Sequence, residues 1–197
     1  MSGASMVYSL SKQIEQHGRG AAAKRVLIRG LAIFIIGIFY SGGFTNPWPD
    51  MRLLGVLQRI AIAYTGAGLL YCFLKPRALA AVGAAILLGY WALLTFVPIR
   101  DIQLDKAALA AKLGTPKPTE AQVRAAFDAT TARVTGGFEP GKNLTNHLDF
   151  QYLPGRKYDT YYDPEGFLSM APAVVTCLIG VFAGLLMRRT EIGRAHV

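Results

Sequence analysis

The chain has 197 residues, of which 52% are hydrophobic, and its formal net charge is +9 at pH 7. Soluble domains can be equally apolar, so the distribution of the residues has to decide the class of protein. The basic residues stand at the ends of apolar runs rather than in a patch with interleaved aromatic residues, which excludes nucleic acid as a partner. Two cysteines far apart in sequence have no metal-binding spacing, and we predict neither a disulfide nor a metal site.

Long apolar runs are the main feature of the chain, and they lie at residues 26–44, 55–74, 78–99 and 166–187. A helix needs about 20 residues to cross a hydrocarbon core of roughly 30 Å. The first run meets this length if Arg29 extends its guanidinium toward the interface. We therefore predict an all-α membrane protein embedded in a lipid bilayer, as a partial polytopic bundle of transmembrane helices. The predicted divisions are a truncated helix and cytoplasmic loop (1–25), three transmembrane helices (26–99), an external loop (100–165) and a fourth transmembrane helix (166–190).

The charges at the helix ends predict the orientation. Helices that alternate in direction bring all the basic clusters to one side of the membrane, and by the positive-inside rule that side is the cytoplasm. The long loop at 100–165 is then external, and the membrane is predicted to be the inner membrane of a bacterium. The clusters comprise Lys24, Arg25 and Arg29, then Lys75 and Arg77, and finally Arg188 and Arg189.

Both ends of the chain are predicted to be truncated. Residues 3–10 are apolar but too short to span, and they resemble the cytoplasmic end of an earlier helix that leads into a loop at 12–25. Residues 191–197, EIGRAHV, are what a common sequencing adapter encodes in one reading frame. We leave that segment, with His196, out of the functional reasoning.

The external loop changes character along its length. Thr119 and Gln122 have capping-box spacing, which predicts a helix at about 120–134 that Gly136 and Gly137 terminate. From Phe138 onward, polar and aromatic residues crowd together, a composition that suits an interfacial belt and equally a sugar-binding lip. They include Asn143, Asn146, His147, Asp149, Tyr152, Tyr158, Tyr161 and Tyr162.

Charged residues near the membrane are costly to keep and mark candidate functional positions. Gln58 and Arg59 lie just inside the second predicted helix, and Asp163 and Glu165 precede the fourth. Asp163 has the character of a helix N-cap. Topology brings Arg59 to the same membrane face as both carboxylates, so we expect an ion pair of Arg59 with Glu165 or Asp163. A structural role and a role in lining a substrate site both remain open for that pair.

Two separated motifs resemble a known family. Residues 51–60, MRLLGVLQRI, resemble a helix start of the transmembrane acyltransferases typified by heparan-α-glucosaminide N-acetyltransferase, with Leu54 where the family usually has proline. Residues 153–155, LPG, and 162–169, YDPEGFLS, resemble a second family segment, and 178–184, LIGVFAG, resemble a later helix.

The resemblance implies transfer of an acetyl group from cytoplasmic acetyl-CoA to an amino sugar on the other side. It implies an amino-sugar site at the external helix ends and basic residues that hold the CoA phosphates. The family's histidine has no counterpart here, which implies that this fragment is inactive. The implied sugar or charge-pair residues are Gln58, Arg59, Asp149, Asp163 and Glu165, and the implied acetyl-CoA residues are Lys24, Arg25, Lys75 and Arg77.

The alternative is a sugar permease or an accessory membrane protein on the same scaffold, without transferase activity. Nothing within the chain separates the two, and a homo-oligomer is left open.

Overall fold

The computed structural model describes residues 2–43 and 45–194, and it describes side chains for 3–43 and 45–190. Three helices in this part of the chain are long and apolar enough to cross a membrane: α2 (Val56–Phe73), α3 (Pro76–Phe96) and the first 21 residues, Met170–Thr190, of the last helix. Helices dominate the described residues, and the strands are two residues long. The predicted all-α membrane protein is confirmed. The end of the adapter-like segment, 195–197, lies outside the described residues.

The N-terminal part of the chain is helical on both sides of a break at Gly18. Element α1 (Ser2–Tyr40) consists of two helices that meet there, because the Gly18 backbone is not helical (φ 82°, ψ 169°). Met6 and Val26 both lie within 4 Å of the Cβ position of Gly68, so the two helices lie side by side, and the segment predicted as a loop at 12–25 contains the turn between them. The apolar run predicted at 26–44 lies in the second of these helices, which ends at Tyr40, and residue 44 lies outside the described part. Lys24, Arg25 and Arg29 lie close to the start of this apolar run, and the run is not one of the three candidate spans among the described residues. Its crossing of the membrane therefore stays a prediction.

The chain divides into two compact units. The first, the helical unit, contains Met1–Ser41, Val56–Leu88 and Met170–Val197, and therefore α1, α2, the first part of α3 and the last helix, α7 (Met170–Arg194). Helices α1, α2 and α7 all pack against one another. Their shared core is apolar, with Val7, Val26, Leu79, Leu178 and Val181 completely buried.

Small residues let these helices approach closely. A Cβ on Gly180 would lie 3.1 Å from the Cα of Gly3, and one on Gly184 would lie 3.0 Å from the Cα of Ala4. Gly66 packs in the same way against Val174. Gly180 and Gly184 therefore form a helix contact, as expected where helices associate by close packing.

The outward face of the helical unit is apolar. Helix α1 exposes a continuous series of large apolar side chains, as a helix does where lipid replaces water. These are Leu27, Ile28, Leu31, Ile35, Ile36 and Phe39.

The second unit, the polar unit, contains Gly42–Gly55 and Gly89–Ser169. It holds the short helices α4 (Lys106–Leu113), α5 (Glu120–Ala129) and α6 (Leu144–Tyr152). Two antiparallel pairs of strands connect them: β1 (Ile99–Arg100) with β2 (Arg133–Val134), and β3 (Phe138–Glu139) with β4 (Lys142–Asn143). The buried core of this unit comprises Ile102, Leu104, Leu109, Val123, Phe127, Phe150 and Tyr161.

Three helix boundaries differ from the prediction. Helix α5 begins at its capping box of Thr119 and Gln122 as expected, but it ends at Ala129 because the chain turns into strand β2 instead of continuing to 134. Helix α3 ends at Phe96 rather than at 99, because Ile99 pairs with Val134. Helix α7 begins at Met170 instead of 166.

Candidate functional site

An arginine of the polar unit holds both conspicuous carboxylates. Arg52 donates from Nε to Asp163 Oδ2 at 2.8 Å and from Nη2 to Asp163 Oδ1 at 2.7 Å. Its Nη2 also donates to Glu165 Oε2 at 2.7 Å. Such a two-point contact between guanidinium and carboxylate is stronger and more directional than a single hydrogen bond. We call Arg52, Asp163 and Glu165 the arginine cluster.

The surrounding backbone supports the cluster. The amides of Tyr158 and Glu165 donate to the Asp163 carboxylate, and the Tyr158 ring lies against the Arg52 guanidinium at 5.1 Å. One residue earlier, the carbonyl of Met51 accepts the amide of Arg156. The two sequence motifs are therefore bound directly to each other within the polar unit.

Asp163 is 1% exposed, so its charge depends on these partners. The hydrogen bond to Asp163 is the main cause that raises the pKa of Arg52. Burial, followed by the neighbouring Asp163, raises the pKa of Glu165, and Arg52 opposes that change. Two carboxylates that share one guanidinium hold the arginine in its charged form.

Asp149 on α6 is a second buried carboxyl group. Its Oδ1 accepts the amide of Phe167 at 3.0 Å, and its Oδ2 has no hydrogen-bond partner among the described residues. The carboxyl group occupies the space where a side chain on Gly166 would begin. Burial raises the pKa of Asp149 to about 6, although the Phe167 amide stabilises the ionised form. Asp149 can therefore change its protonation state near neutral pH.

A polar cavity of about 610 Å³ lies beside the arginine cluster, within the polar unit. Its volume falls within the range of roughly 300–1,000 Å³ that is typical of small-molecule sites. Aromatic, amide, hydroxyl, acidic and basic side chains are all present in its wall. The lining residues with such side chains are Asp50, Glu120, Arg124, Gln151, Tyr152, Arg156, Lys157, Tyr158 and Thr160.

Lys157 is the buried cation of this wall, since 7% of it is exposed. Burial lowers the pKa of Lys157, with Glu120 as the strongest opposing charge. Among the described residues, the Lys157 ammonium has no carboxylate within 4.0 Å. Arg124, by contrast, contacts Glu120 at 3.5 Å and lies over the ring of Phe150.

His147 has a structural position. Its Nε2 lies 3.1 Å from the carbonyl oxygen of Ile102, and its ring packs edge-on against Phe127. Burial lowers the pKa of His147. These contacts place His147 in the packing of the polar unit.

The residues predicted in the second membrane helix belong to the helical unit. Gln58 is fully buried against Gly37, and neither polar atom of its side chain has a hydrogen-bond partner among the described residues. Arg59 lines a cavity of about 280 Å³ together with Thr176 and Cys177. In the structure, Arg52 binds Asp163 and Glu165. The predicted pairing of Arg59 with either carboxylate stays a prediction.

The prediction that Asp163 caps the N-terminus of a helix is wrong. Helix α7 begins seven positions later, at Met170, and the Asp163 side chain accepts hydrogen bonds from Arg52 and from two nearby amides instead. Two charge-assisted hydrogen bonds from a guanidinium stabilise a buried carboxylate strongly.

The predicted CoA-binding residues lie at the surface of the helical unit. Lys24, Arg25 and Arg77 are exposed, and Arg25 donates to Gln13. Lys75 lines a cavity of about 350 Å³ that Arg19 and Arg188 also line. An acetyl-CoA site at these residues stays a prediction.

Sequence reasoning missed Arg52, Lys157 and the other basic residues of the cavity. Arg52 lies inside the first motif and just before α2, and its place in that motif was the available signal. No pattern marks Lys157, because its burial depends on how α5 and the segment after α6 fold together. Cys72 and Cys177 are both buried.

Comparison with known proteins overturns the resemblance to acyltransferases. No protein-family model matches the chain. The chain is similar to a Na(+)/H(+) antiporter, NhaA 2 of Pseudomonas putida, with 31% identity over 85 residues, which is 38% of this chain and 19% of that protein. The chain thus spans about a fifth of the length of the curated relative that it matches.

The predicted acetyltransferase identity and function are therefore wrong. The two motifs that suggested them are linked by Arg52, Asp163 and Glu165, and that link holds the polar unit together without implying any group transfer. What the sequence and fold establish is a membrane protein with apolar helices and a polar unit that contains a solute-sized cavity.

Proposed function

We propose that the protein binds a sugar-like solute as part of a transport system, either as a section of a permease or as its accessory membrane protein. The observation that carries this proposal is the polar cavity of about 610 Å³ beside the arginine cluster. A cavity of this size holds a monosaccharide or a disaccharide.

The side chains of the wall suit a polyhydroxylated ligand. Sugars present both hydroxyl groups and apolar ring faces, so their sites combine hydrogen-bonding groups with aromatic rings. Gln151 and Thr160 supply donors and acceptors, and Tyr152 and Tyr158 supply rings that are 68% and 66% exposed. The same exposure leaves both rings accessible to a ligand that enters from solvent.

The comparison favours a transport role over an enzymatic one. The similar protein is by name an antiporter, and the similarity extends over 85 residues of this chain. The predicted amino sugar remains one member of the proposed ligand class.

The proposed location is the inner membrane of a bacterium, with the basic helix ends in the cytoplasm and residues 100–165 outside. Arg19, Lys75 and Arg188 come from three separate segments and line one cavity of the helical unit, which supports a common side for these basic segments. A thiol introduced at Lys142 should react with an impermeant reagent in intact cells. Reaction that requires opening of the cytoplasmic face would invert this orientation.

The test of solute binding uses the whole chain in lipid nanodiscs, titrated with glucose, glucosamine and glucuronate by isothermal calorimetry. We expect saturable binding of at least one sugar, and we expect Tyr152→Ala to weaken it about tenfold because a ring face is lost. Phe138→Ala is the matched control, since Phe138 is an exposed aromatic residue of the same unit that does not line the cavity. Absence of binding by every sugar, or equal weakening by both substitutions, would contradict the proposal.

A further inference from the structure

Lys157 carries a positive charge that the described structure leaves without a close counterion. The side chain is nine-tenths buried and lines the cavity of the polar unit, and none of the ion pairs of the described residues includes it. A buried charge is costly unless a partner of opposite sign or several hydrogen bonds compensate it. A ligand that brings a negative charge would supply that compensation.

The other charges of the cavity wall favour the same sign of ligand. Three cationic residues, Arg124, Arg156 and Lys157, face two acidic residues, Asp50 and Glu120. Glu120 lies within 3.5 Å of Arg124, so each offsets the other. The remaining wall charges are two cations and one carboxylate, and Lys157 is the buried member among them.

We propose that the cavity selects an anionic sugar, a monosaccharide that carries a carboxylate or a phosphate group, and that Lys157 binds this group. The inference rests on the proposed function and names the ligand class for the same cavity. The tyrosines contact the ring of the sugar, and Arg156 at the rim adds a second positive charge near the anion. An amino sugar would instead place a second ammonium beside Lys157.

The neighbouring acids do not satisfy Lys157 by themselves. Glu120, Asp149 and Asp163 each stabilise its charged form, yet burial, together with the neighbouring charge of Arg124, prevails and lowers the pKa of Lys157. A bound carboxylate or phosphate would raise that pKa again, so binding of the anion should weaken as the pH rises through the lowered pKa. A purely structural lysine would give no such link between pH and affinity.

The test compares glucuronate, glucose 6-phosphate and glucose as ligands of the full chain in nanodiscs. We expect at least one anionic sugar to bind about tenfold or more tightly than glucose. Lys157→Met keeps the length of the side chain and should reduce that affinity about 10- to 100-fold, the range expected for one charge-assisted hydrogen bond. Lys157→Arg should recover part of the loss, and Lys106→Met, at an exposed lysine outside the cavity, should change nothing.

The outcomes separate the two proposals. Tighter binding of glucuronate alone assigns a carboxylate, and tighter binding of glucose 6-phosphate alone assigns a phosphate. If the unmodified chain binds glucose as tightly as both anions, the inference is wrong and the proposed function stands. If no sugar binds, both are wrong. The comparison among ligands of the unmodified chain decides the inference even where a Lys157 variant fails to fold.

Discussion

The helical unit and the polar unit stabilise their buried groups in different ways. Within the described residues, the helical unit buries mainly apolar side chains, with Gln58 as a fully buried amide, and its helices meet at small residues such as Gly3 and Gly180. The polar unit instead buries titratable side chains, namely His147, Asp149, Lys157 and Asp163. Close packing needs no particular chemistry, whereas each buried titratable group needs a specific partner. We therefore expect the specificity for the proposed solute to lie in the polar unit.

We expect the largest effect on stability from a substitution that breaks the arginine cluster. Arg52→Met leaves the Asp163 carboxylate buried without its cation, and we expect the polar unit to lose about 3–5 kcal/mol of unfolding free energy. Lys142→Met removes the cation from an ion pair of similar length, to Asp101, whose side chain is 42% exposed. Solvent screens that pair, so its loss should cost less than about 1 kcal/mol.

The fluorescence of Trp48 and Trp91, which both belong to the polar unit, follows its unfolding in urea. Equal effects of Arg52→Met and Lys142→Met would show that burial does not distinguish the two ion pairs. The contrast between the units would then lose its energetic basis.

The next effect concerns the pH dependence of the polar unit. Burial raises the pKa of Asp149 to about 6 from an unfolded value near 3.8. Between those values the folded state binds more protons than the unfolded state, so stability falls as the pH rises from about 4 to 6 and then levels off. The full change is at most about 3 kcal/mol, because one pKa unit corresponds to 1.36 kcal/mol.

Asp149→Asn should remove this part of the pH dependence. The amide oxygen of asparagine can still accept the Phe167 N–H, and asparagine has no charge to bury. Unfolding free energies at pH 5 and pH 7.5, compared between the variant and the unmodified chain, measure the effect. An unchanged pH slope in the variant would mean that Asp149 does not titrate as described.

The smallest effect probes the close packing in the helical unit. A Cβ on Gly3 would lie 2.8 Å from the Cα of Gly180, so Gly3→Ala should cost about 1–3 kcal/mol through overpacking. Gly20→Ala, in the helix that follows the break at Gly18, meets no atom within 4 Å and should stabilise that helix by up to about 1 kcal/mol. Thermal unfolding in detergent, followed by circular dichroism at the helical band, compares the two. A loss of stability in both variants would point to the backbone of α1 rather than to its contact with α7.

The sequence predicted those features that depend on local pattern. The apolar runs at 55–74 and 78–99 coincide with α2 and α3 to within a few residues, because a membrane span is defined by its own composition. The capping box at Thr119 placed the start of α5 correctly for the same local reason.

The site depended on contacts that no local pattern encodes. Arg52 and Arg59 both lie near the start of α2, and spacing in the sequence does not show that Arg52 binds Asp163 and Glu165, because that contact depends on the path of the loop. The resemblance failed for a similar reason: the two short motifs form a link within the polar unit, and such a link can serve more than one activity.

The central claim is that the polar unit alone recognises the solute. Hydrogen–deuterium exchange of the chain in nanodiscs, with and without the tightest-binding sugar, tests it directly. The account predicts slower exchange at residues 151–158, and at the end of α5 that carries Glu120 and Arg124, with no change in α2 or α7. Protection in α2 and α7 with none around the cavity would contradict it.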